Sequence, residues 1–177
     1  MIESYINREE IVAMKANNNR YINLNERDLI QRNIESYATA KDDSTQLKIE
    51  LMPNNMIRLK SIPADKYLKS VDPISTRNSL TNLEASGGDM CMESCMFKVY
   101  YNSEKGLLAF QVAKTGFFMA RYWNHDSKYS DLVATSSQLT QDYQYFRDDT
   151  SKIVVVLNGT IRKLKGTPPP PSFGLLV

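Results

Sequence analysis

The amino-acid sequence predicts an all-β fold made of three similar units, each with four short strands, that close on one another. A hairpin pattern recurs three times along the chain, and each hairpin is followed by the same arrangement of shorter apolar runs. No long stretch calls for a long helix. The 177 residues suit one domain with a short extension, and we place the boundary between residues 1–150 and residues 151–177.

The recurring hairpins share three parts in the same order. Each has an alternating apolar strand, four to six turn-forming residues, and then an aromatic residue with a second apolar position. Alternation of this kind predicts a half-buried strand, and Asn, Pro and Gly supply the turn chemistry. The three hairpins are "IVAMKANNNRYI" (11–22), "MIRLKSIPADKYL" (56–68) and "LLAFQVAKTGFFM" (107–119).

Two further runs complete each unit. The first runs are "ESYATA" (35–40), "SLTNLEAS" (79–86) and "DLVATSS" (131–137), and the second are "QLKIEL" (46–51), "CMFKVYY" (95–101) and "YQYFRDD" (143–149). This alignment makes Met14, Leu59 and Phe110 equivalent, at spacings of 45 and 51 residues. Closing three such units removes exposed strand edges and gives a β-trefoil, in which these three residues should meet in one core.

Two local features need a separate interpretation. In 25–38, Leu29, Ile30, Ile34 and Tyr37 follow helical spacing, so a two-turn helix is an alternative to a long hairpin loop with one helical turn. The run at 131–138 ends abruptly in hydroxyl residues, which predicts a strand stopping at a side-chain-bonded turn. We expect one helical or 3₁₀ turn within 135–142, with Ser136 or Ser137 as its N-cap.

Composition and charge exclude several classes of protein. There are 22 basic and 20 acidic residues, and the net charge of +2 does not favour nucleic acid or an anionic membrane as a partner. The first 15 residues carry several charges and no uninterrupted apolar stretch, so we expect no signal peptide and no membrane insertion. The expected location is therefore cytoplasmic or nucleocytoplasmic.

The sequence gives no reason to expect catalysis, a metal or a cofactor. His125 is the single histidine, and its loop-like neighbours "YWNHDSKY" form no nucleophile elbow, so we expect no nucleophilic catalysis. One histidine and two cysteines are also too few for a four-ligand zinc site. Cys91 and Cys95 are four residues apart, and on a strand they would lie too far apart for an unstrained disulfide. We therefore expect two reduced, partly buried thiols.

The ordered motifs resemble a known family. "VAMKANNNRYI", "IRLKSIPADKYL", "CMFKV" and "LVATSSQL" are similar to the successive motifs of the amaranthin-like agglutinin domain, a plant lectin module. The resemblance covers residues 9–149. It implies a β-trefoil that binds carbohydrate without catalysis, typically glycans with galactose or N-acetylgalactosamine. One stretch departs from the family, because 70–80 lacks the aromatic residues of the family's "SPNHYW" segment, although Asp72, Pro73 and Asn78 keep part of its character.

Aromatic and polar residues in one loop suit a sugar site, because a sugar ring offers an apolar face and several hydroxyl groups. "YWNHDSKY" (122–129) has this composition and occupies the same place in the third unit as 72–79 does in the second. The alternative is that Trp123 belongs to the core. The predicted carbohydrate-binding residues are Asp72, Asn78, Tyr122, Trp123, Asn124, His125 and Asp126. A β-trefoil that binds a protein instead of a sugar is the competing function.

The C-terminal segment carries its own hairpin pattern. "KIVVVLNGTIRKLK" (152–165) has two β-rich arms around Asn158-Gly159, and a proline-rich tail follows. A bare "IVVVL" strand promotes aggregation unless it is covered. We therefore expect it to pack on the trefoil or against a second copy of the chain, and we expect a homo-oligomer, in the simplest case a homodimer.

Overall fold

A computed structural model of the chain describes residues 10–25, 33–53, 56–71, 81–102, 104–124, 129–149 and the backbone of 162–163. The described residues are almost entirely strands and turns. The strands are β1 (Glu10–Val12), β2 (Met14–Lys15), β3 (Tyr21–Leu24), β4 (Ile34–Ala38), β5 (Leu47–Met52), β6 (Met56–Ser61), β7 (Lys66–Val71), β8 (Thr81–Gly87), β9 (Phe97–Asn102), β10 (Leu107–Val112), β11 (Phe118–Asn124), β12 (Tyr129–Ser136), β13 (Arg147–Asp148) and β14 (Arg162–Lys163).

The threefold repeat extends to the register of individual residues. Each of the three hairpins, β2–β3, β6–β7 and β10–β11, is closed by one equivalent cross-strand pair: Lys15 with Tyr21, Lys60 with Tyr67, and Gln111 with Phe118. In each unit the register shifts directly after the aromatic residue of this pair. Such a shift increases the local twist, so the three units bend at the same point.

Three single-turn 3₁₀ helices repeat in the same way. They span Asp43–Thr45, Glu93–Cys95 and Asp142–Gln144, and the last residue of each is buried. A strand or bridge residue follows each turn, and the resulting pairs close the units: Val12 with Leu47, Ile57 with Phe97, and Leu108 with Phe146.

One hydrophobic core fills the centre of the structure. Met14, Leu59 and Phe110 are fully buried and belong to this core, as the sequence repeat predicts. The spacing of their neighbours is that of strands with one face turned inward, so alternating residues enter the core. The prediction that these three residues occupy equivalent inward positions is confirmed.

Two sequence-based expectations need correction. The helical alternative for 25–38 is wrong at its described end, because Ile34–Ala38 is strand β4. The 3₁₀ turn of the third unit begins at Asp142 and not within the serine run, and its N-cap is Gln141. Ser136 still ends β12 with a side-chain-bonded turn, since its Oγ accepts a hydrogen bond from the backbone N–H of Gln138 at 3.1 Å.

The two cysteines form a disulfide, so the expectation of reduced thiols is wrong. Cys91 lies in the loop before the 3₁₀ turn and Cys95 lies in that turn, with 5.8 Å between their Cα atoms. The expectation failed because it placed both residues on one extended strand, where they would be too far apart. Disulfides are typical of oxidising compartments. The cytoplasmic location stays a prediction.

The C-terminal strand β14 pairs in parallel with β9, with Arg162 opposite Tyr100 and Lys163 opposite Tyr101. The other residues of the predicted 152–165 hairpin and the proline-rich tail lie outside the described residues, and the homo-oligomer stays a prediction. Among the described residues, none forms a helix with the length and apolarity that a membrane crossing needs.

Candidate functional site

The turn at residues 16–20 joins β2 to β3 and separates two cavities. It is held by backbone hydrogen bonds of 3.0 Å from Ala16 N–H to Arg20 O and from Asn19 N–H to Ala16 O. Asn19 has a φ of 59°, a left-handed conformation that asparagine adopts more readily than most residues. Asn17 and Asn19 line one cavity, whereas Asn18 and Arg20 line the other.

The first cavity, here called the basic cavity, has a volume of about 400 Å³. It is bounded by β2, the 16–20 turn, the loop before β10, and β13. Its lining residues are Lys15, Ala16, Asn17, Asn19, Lys105, Leu107, Tyr145 and Arg147. Three of them are cations, and no carboxylate is among these described lining residues.

The second cavity, here called the polar cleft, has a volume of about 570 Å³. It lies beside β4 and the first 3₁₀ turn. Its lining residues are Asn18, Arg20, Asn23, Ser36, Tyr37, Ala38, Thr39, Ala40, Asp42, Ser44 and Ser130. Most of these carry hydrogen-bonding side chains, and one carries an aromatic ring.

Hydrogen bonds hold the floor of the polar cleft in place. Asn18 Nδ2 donates to the carbonyl oxygen of Ser36 at 3.0 Å, and Ser36 Oγ donates to Asn18 Oδ1 at 2.8 Å. Asn23 Oδ1 accepts from the backbone N–H groups of Tyr37 and Ala38 at 3.1 and 3.2 Å. These contacts tie the 16–20 turn and β3 to β4, so the cleft is preformed.

Two charged groups at the edge of the cleft keep free bonding capacity. Asp42 Oδ1 accepts from the backbone N–H and the hydroxyl of Ser44, which fixes the carboxylate as the cap of the first 3₁₀ turn. Among the described residues, Asp42 Oδ2 accepts no further hydrogen bond. The guanidinium of Arg20 is exposed and likewise donates to no described residue. The cleft therefore presents an acceptor and a donor to a ligand.

Tyr37 supplies an aromatic surface. It is 51% exposed on β4, and it lines the cleft. A polar, preformed cleft with one exposed aromatic ring suits a ligand that has several hydroxyl groups and one apolar face.

Arg121 connects the two cavities from below. Its Nε donates to Asn17 Oδ1, and its Nη1 donates to Ser130 Oγ at 3.2 Å. Burial lowers the pKa of Arg121 from its usual value, and the charge of Asp142 opposes this shift. The side chain remains a cation, because arginine titrates far above neutral pH. It joins a residue of the basic cavity to a residue of the polar cleft.

The three predicted site residues that the structure describes lie on a strand and not in a loop. Tyr122, Trp123 and Asn124 end β11 and pair with Asp131, Ser130 and Tyr129 of β12, so the expectation of one continuous loop over 122–129 is wrong. The side chain of Tyr122 is 42% exposed. The predicted residues Asp72, Asn78, His125 and Asp126, and the side chains of Trp123 and Asn124, lie outside the described residues.

Ser130 links the predicted site segment to the polar cleft. This residue lies directly opposite Trp123 in the β11–β12 pair and also lines the polar cleft. Sequence reasoning missed Ser130 and all the other cleft residues, which come from the 16–20 turn, β3, β4 and the segment up to the first 3₁₀ turn. One signal was available. The 16–20 turn uses three consecutive asparagines, although only Asn19 has the left-handed conformation that favours this residue type.

Metal binding has no visible basis in the described part of the chain. Those residues contain no group of three or more His, Cys, Asp or Glu side chains close enough to hold one ion. The cavities therefore offer charge and hydrogen bonds, not a coordination site.

Comparison with known proteins identifies the fold but not a family. No family model matches the chain, and no curated protein sequence matches it. The designed three-fold symmetric protein ThreeFoil is similar, with a TM-score of 0.64 and 14% identity, over 78% of this chain and 96% of ThreeFoil. The SDF2-like protein from Arabidopsis thaliana has a TM-score of 0.63 and 10% identity, over 80% of this chain and 93% of its own.

A lectin is among the similar structures. The Polyporus squamosus lectin, solved with the epitope Neu5Aca2-6Galb1-4GlcNAc, has a TM-score of 0.62 and 12% identity, over 79% of this chain and 48% of its own. At such identities the similarity establishes the fold alone. Together with the threefold register, it shows that the chain is a β-trefoil, and the predicted fold class is confirmed.

Proposed function

We propose that this β-trefoil is a carbohydrate-binding protein without catalytic activity, and that its sugar site is the polar cleft. The observation that carries the proposal is the exposed Tyr37 ring in a preformed polar cleft. A sugar ring would stack on Tyr37, while Arg20 donates to sugar hydroxyls and Asp42 Oδ2 accepts from them. The lectin among the similar structures supports this assignment.

The identity of the sugar is the finer part of the proposal. The motifs that resemble amaranthin-like agglutinins favour galactose or N-acetylgalactosamine, and the ligand of the similar Polyporus squamosus lectin contains galactose linked to N-acetylglucosamine. Shallow single sites bind sugars at ~0.1–1 mM, or ~4–5.5 kcal/mol. One stacking contact worth ~0.5–1.5 kcal/mol beyond its buried area is then a large share of the total.

The experiment compares two exposed tyrosines. Galactose-containing and N-acetylgalactosamine-containing oligosaccharides are titrated into the full chain and into its Tyr37→Ala and Tyr122→Ala variants. Tyr37→Ala should weaken binding about tenfold through the lost stacking surface. Tyr122→Ala should leave binding unchanged, because Tyr122 does not line the cleft. Thermal melting should show little change in either variant, because both side chains are exposed.

The opposite result for the two tyrosine variants would place the sugar site elsewhere. If Tyr122→Ala weakens binding and Tyr37→Ala does not, the sugar binds at the predicted 122–129 segment instead. A second pair of variants sharpens the result. Asp42→Asn keeps the capping oxygen but replaces the second carboxylate oxygen, the proposed sugar acceptor, with an NH2 donor and removes the charge. Asp43→Asn changes a neighbouring exposed carboxylate that does not line the cleft. Only the first should weaken binding.

One observation favours a second candidate, a protein-binding trefoil. Met90 and Met92 are exposed on the loop that carries the disulfide, and exposed methionines are common at adaptable protein interfaces. If no oligosaccharide binds the full chain, while Met90→Ser with Met92→Ser abolishes a protein interaction that Tyr37→Ala leaves intact, this candidate replaces the sugar-binding proposal.

A further inference from the structure

The second unit shows how this fold neutralises cations that face each other across a strand pair. Lys48 of β5 lies directly opposite Lys60 of β6. Like charges in this position repel each other. Asp65 relieves the repulsion, because its carboxylate lies 2.6 Å from Lys60 Nζ. The hydrogen bond from Lys60 lowers the pKa of Asp65 most, and the charges of Lys60, Lys66 and Lys48 lower it further. Asp65 occupies the left-handed position of the turn, two residues before Tyr67.

The first unit has a cation at each of the two equivalent positions but no equivalent of the Asp65 carboxylate. Arg147 of β13 lies directly opposite Lys15 of β2, in the register that places Lys48 opposite Lys60. The left-handed residue of its turn, two residues before Tyr21, is the neutral Asn19. Lys105 brings a third cation to the same cavity. The position that holds an anionic group in the second unit is therefore uncharged in the first, so its three cations are not offset by a carboxylate at this position.

The nearby Asp149 does not fill this gap. Its Oδ2 accepts the Tyr21 hydroxyl at 2.6 Å and lies 3.2 Å from Lys41 Nζ, so it is already shared. Lys15 contributes only to the field that lowers the pKa of Asp149, after the hydrogen bond from Tyr21 and the contact with Lys41. Lys15 Nζ also lies 4.7 Å from the centre of the Tyr21 ring. Asp149 does not line the basic cavity.

A tyrosine hydroxyl adds a hydrogen-bond donor to the cations of the cavity. Tyr145 lines the basic cavity although only 3% of the residue is exposed, and its ring packs with Ala109 and Phe118. Its hydroxyl makes no hydrogen bond to any described residue. Burial raises the pKa of Tyr145, so the hydroxyl keeps its proton at neutral pH and can donate it. An acceptor bound in the cavity could take this hydrogen bond.

We propose that the basic cavity binds an oxyanion, a sulfate ester or a carboxylate, carried by an acidic glycan. Lys15, Lys105 and Arg147 supply the charge, Tyr145 donates a hydrogen bond, and the side-chain amide of Asn19 lies where the second unit holds its own carboxylate. The glycan part rests on the proposed function. The oxyanion part rests on the cavity alone.

The test uses matched ligands and one variant that copies the second unit. A sulfated galactose oligosaccharide, a carboxylated one and their neutral parent are titrated into the full chain at about 50 mM and about 300 mM NaCl. The acidic ligands should bind at least about tenfold more tightly at low salt, and the advantage should shrink at high salt. The acidic ligand that binds more tightly, sulfated or carboxylated, identifies the oxyanion. Inorganic sulfate should compete with the acidic ligands and not with the neutral one.

Asn19→Asp introduces a carboxylate at the position equivalent to Asp65 of the second unit. It should abolish the affinity advantage of the acidic ligands over the neutral parent. Arg147→Gln should reduce it about tenfold. Both should leave the neutral parent's affinity unchanged. Lys66→Gln removes an exposed cation outside the cavity and is the charge-matched control. Thermal melting confirms that each variant is folded.

Each outcome decides between the proposals. Equal binding of acidic and neutral ligands by the unaltered chain overturns this inference and leaves the sugar-binding proposal standing. An advantage that survives Asn19→Asp and Arg147→Gln, or that Lys66→Gln reduces equally, also overturns it. If no oligosaccharide binds, but inorganic sulfate raises the melting temperature of the unaltered chain and not of Asn19→Asp, the sugar-binding proposal fails and the oxyanion site stands.

Discussion

The first and second units of the trefoil begin with the same cross-strand pair but surround it differently. Lys15 with Tyr21 and Lys60 with Tyr67 occupy equivalent positions, and each tyrosine hydroxyl donates to an equivalent carboxylate, Asp149 or Glu50. In the second unit, further polar contacts surround this pair. In the first, cavities flank the turn on both sides.

One buried cation makes these contacts. Arg58 is 6% exposed and stands where the first unit has Ala13. Its guanidinium binds both carboxylate oxygens of Glu50, donates to the carbonyl oxygens of Asp89 and Cys91 at 2.7 and 3.1 Å, and lies 3.9 Å from the centre of the Tyr67 ring. In the second unit, Arg58 and Glu50 bind each other and stabilise the fold, whereas the first unit leaves Arg20 and Asp42 available to a ligand.

Removing the buried cation should give the largest effect. We expect Arg58→Ala to destabilise the protein by about 3 kcal/mol, because two carbonyl groups and Glu50 lose their partner. This value is at the lower end for a broken buried pair, since the Glu50 side chain keeps 37% of its exposure. Chemical denaturation measures it. Arg20→Ala in the first unit is the matched control and should change stability by less than about 0.5 kcal/mol. Equal effects would show that the two units do not differ in this way.

A smaller effect should come from filling the space beside the disulfide. Gly87 lies opposite Tyr67, at the position that Ala38 occupies opposite Tyr21. A Cβ atom at Gly87 would overlap Cys95 Sγ and lie 3.1 Å from the carbonyl oxygen of Tyr67. Gly87→Ala should therefore cost about 1–3 kcal/mol of stability.

Gly88→Ala is the control for that substitution, because a Cβ atom there meets nothing within 4 Å. In the first unit, Ala38 occupies the position of Gly87, and Thr45 occupies the position of Cys95. A Gly87→Ala variant as stable as Gly88→Ala would contradict the packing described around the disulfide.

The smallest effect should be a pH dependence. Burial would raise the pKa of Glu50, but the hydrogen bonds from Arg58 and Tyr67 outweigh it and hold the pKa below the usual value of 4.5. The unfolded chain therefore binds this proton more readily than the folded one. The stability that Glu50 contributes is present above about pH 4.5 and is lost as the pH falls through the lowered pKa.

Melting curves between about pH 6 and pH 3.5 test this expectation. The fall in melting temperature should be a few degrees smaller in Glu50→Gln than in the unaltered chain. Asp149 stays intact in both proteins, and its pKa is also lowered, so part of the acid sensitivity should remain. Parallel curves for the two proteins would mean that Glu50 does not contribute in this way.

The fold could be predicted from the sequence because the repeats show the alternation of side chains along β-strands. Residues such as Met14, Leu59 and Phe110 follow the two-residue period of strands, and this period depends little on the rest of the structure. The disulfide was missed because it depends on a turn that brings Cys91 and Cys95 together. The polar cleft was missed for a related reason. Its residues lie on separate elements, and no regular spacing along the chain indicates that they are close together in space.

The threefold register also bears on how the chain folds. The closing pairs of the three units join residues that are 35, 40 and 38 positions apart, from Val12 to Leu47, Ile57 to Phe97, and Leu108 to Phe146. The entropy lost in closing a loop grows only slowly with its length, so chain connectivity favours none of the units as the nucleus. The order of assembly is then decided by local interactions. Non-local strand pairing of this kind is slow, on the order of milliseconds to seconds.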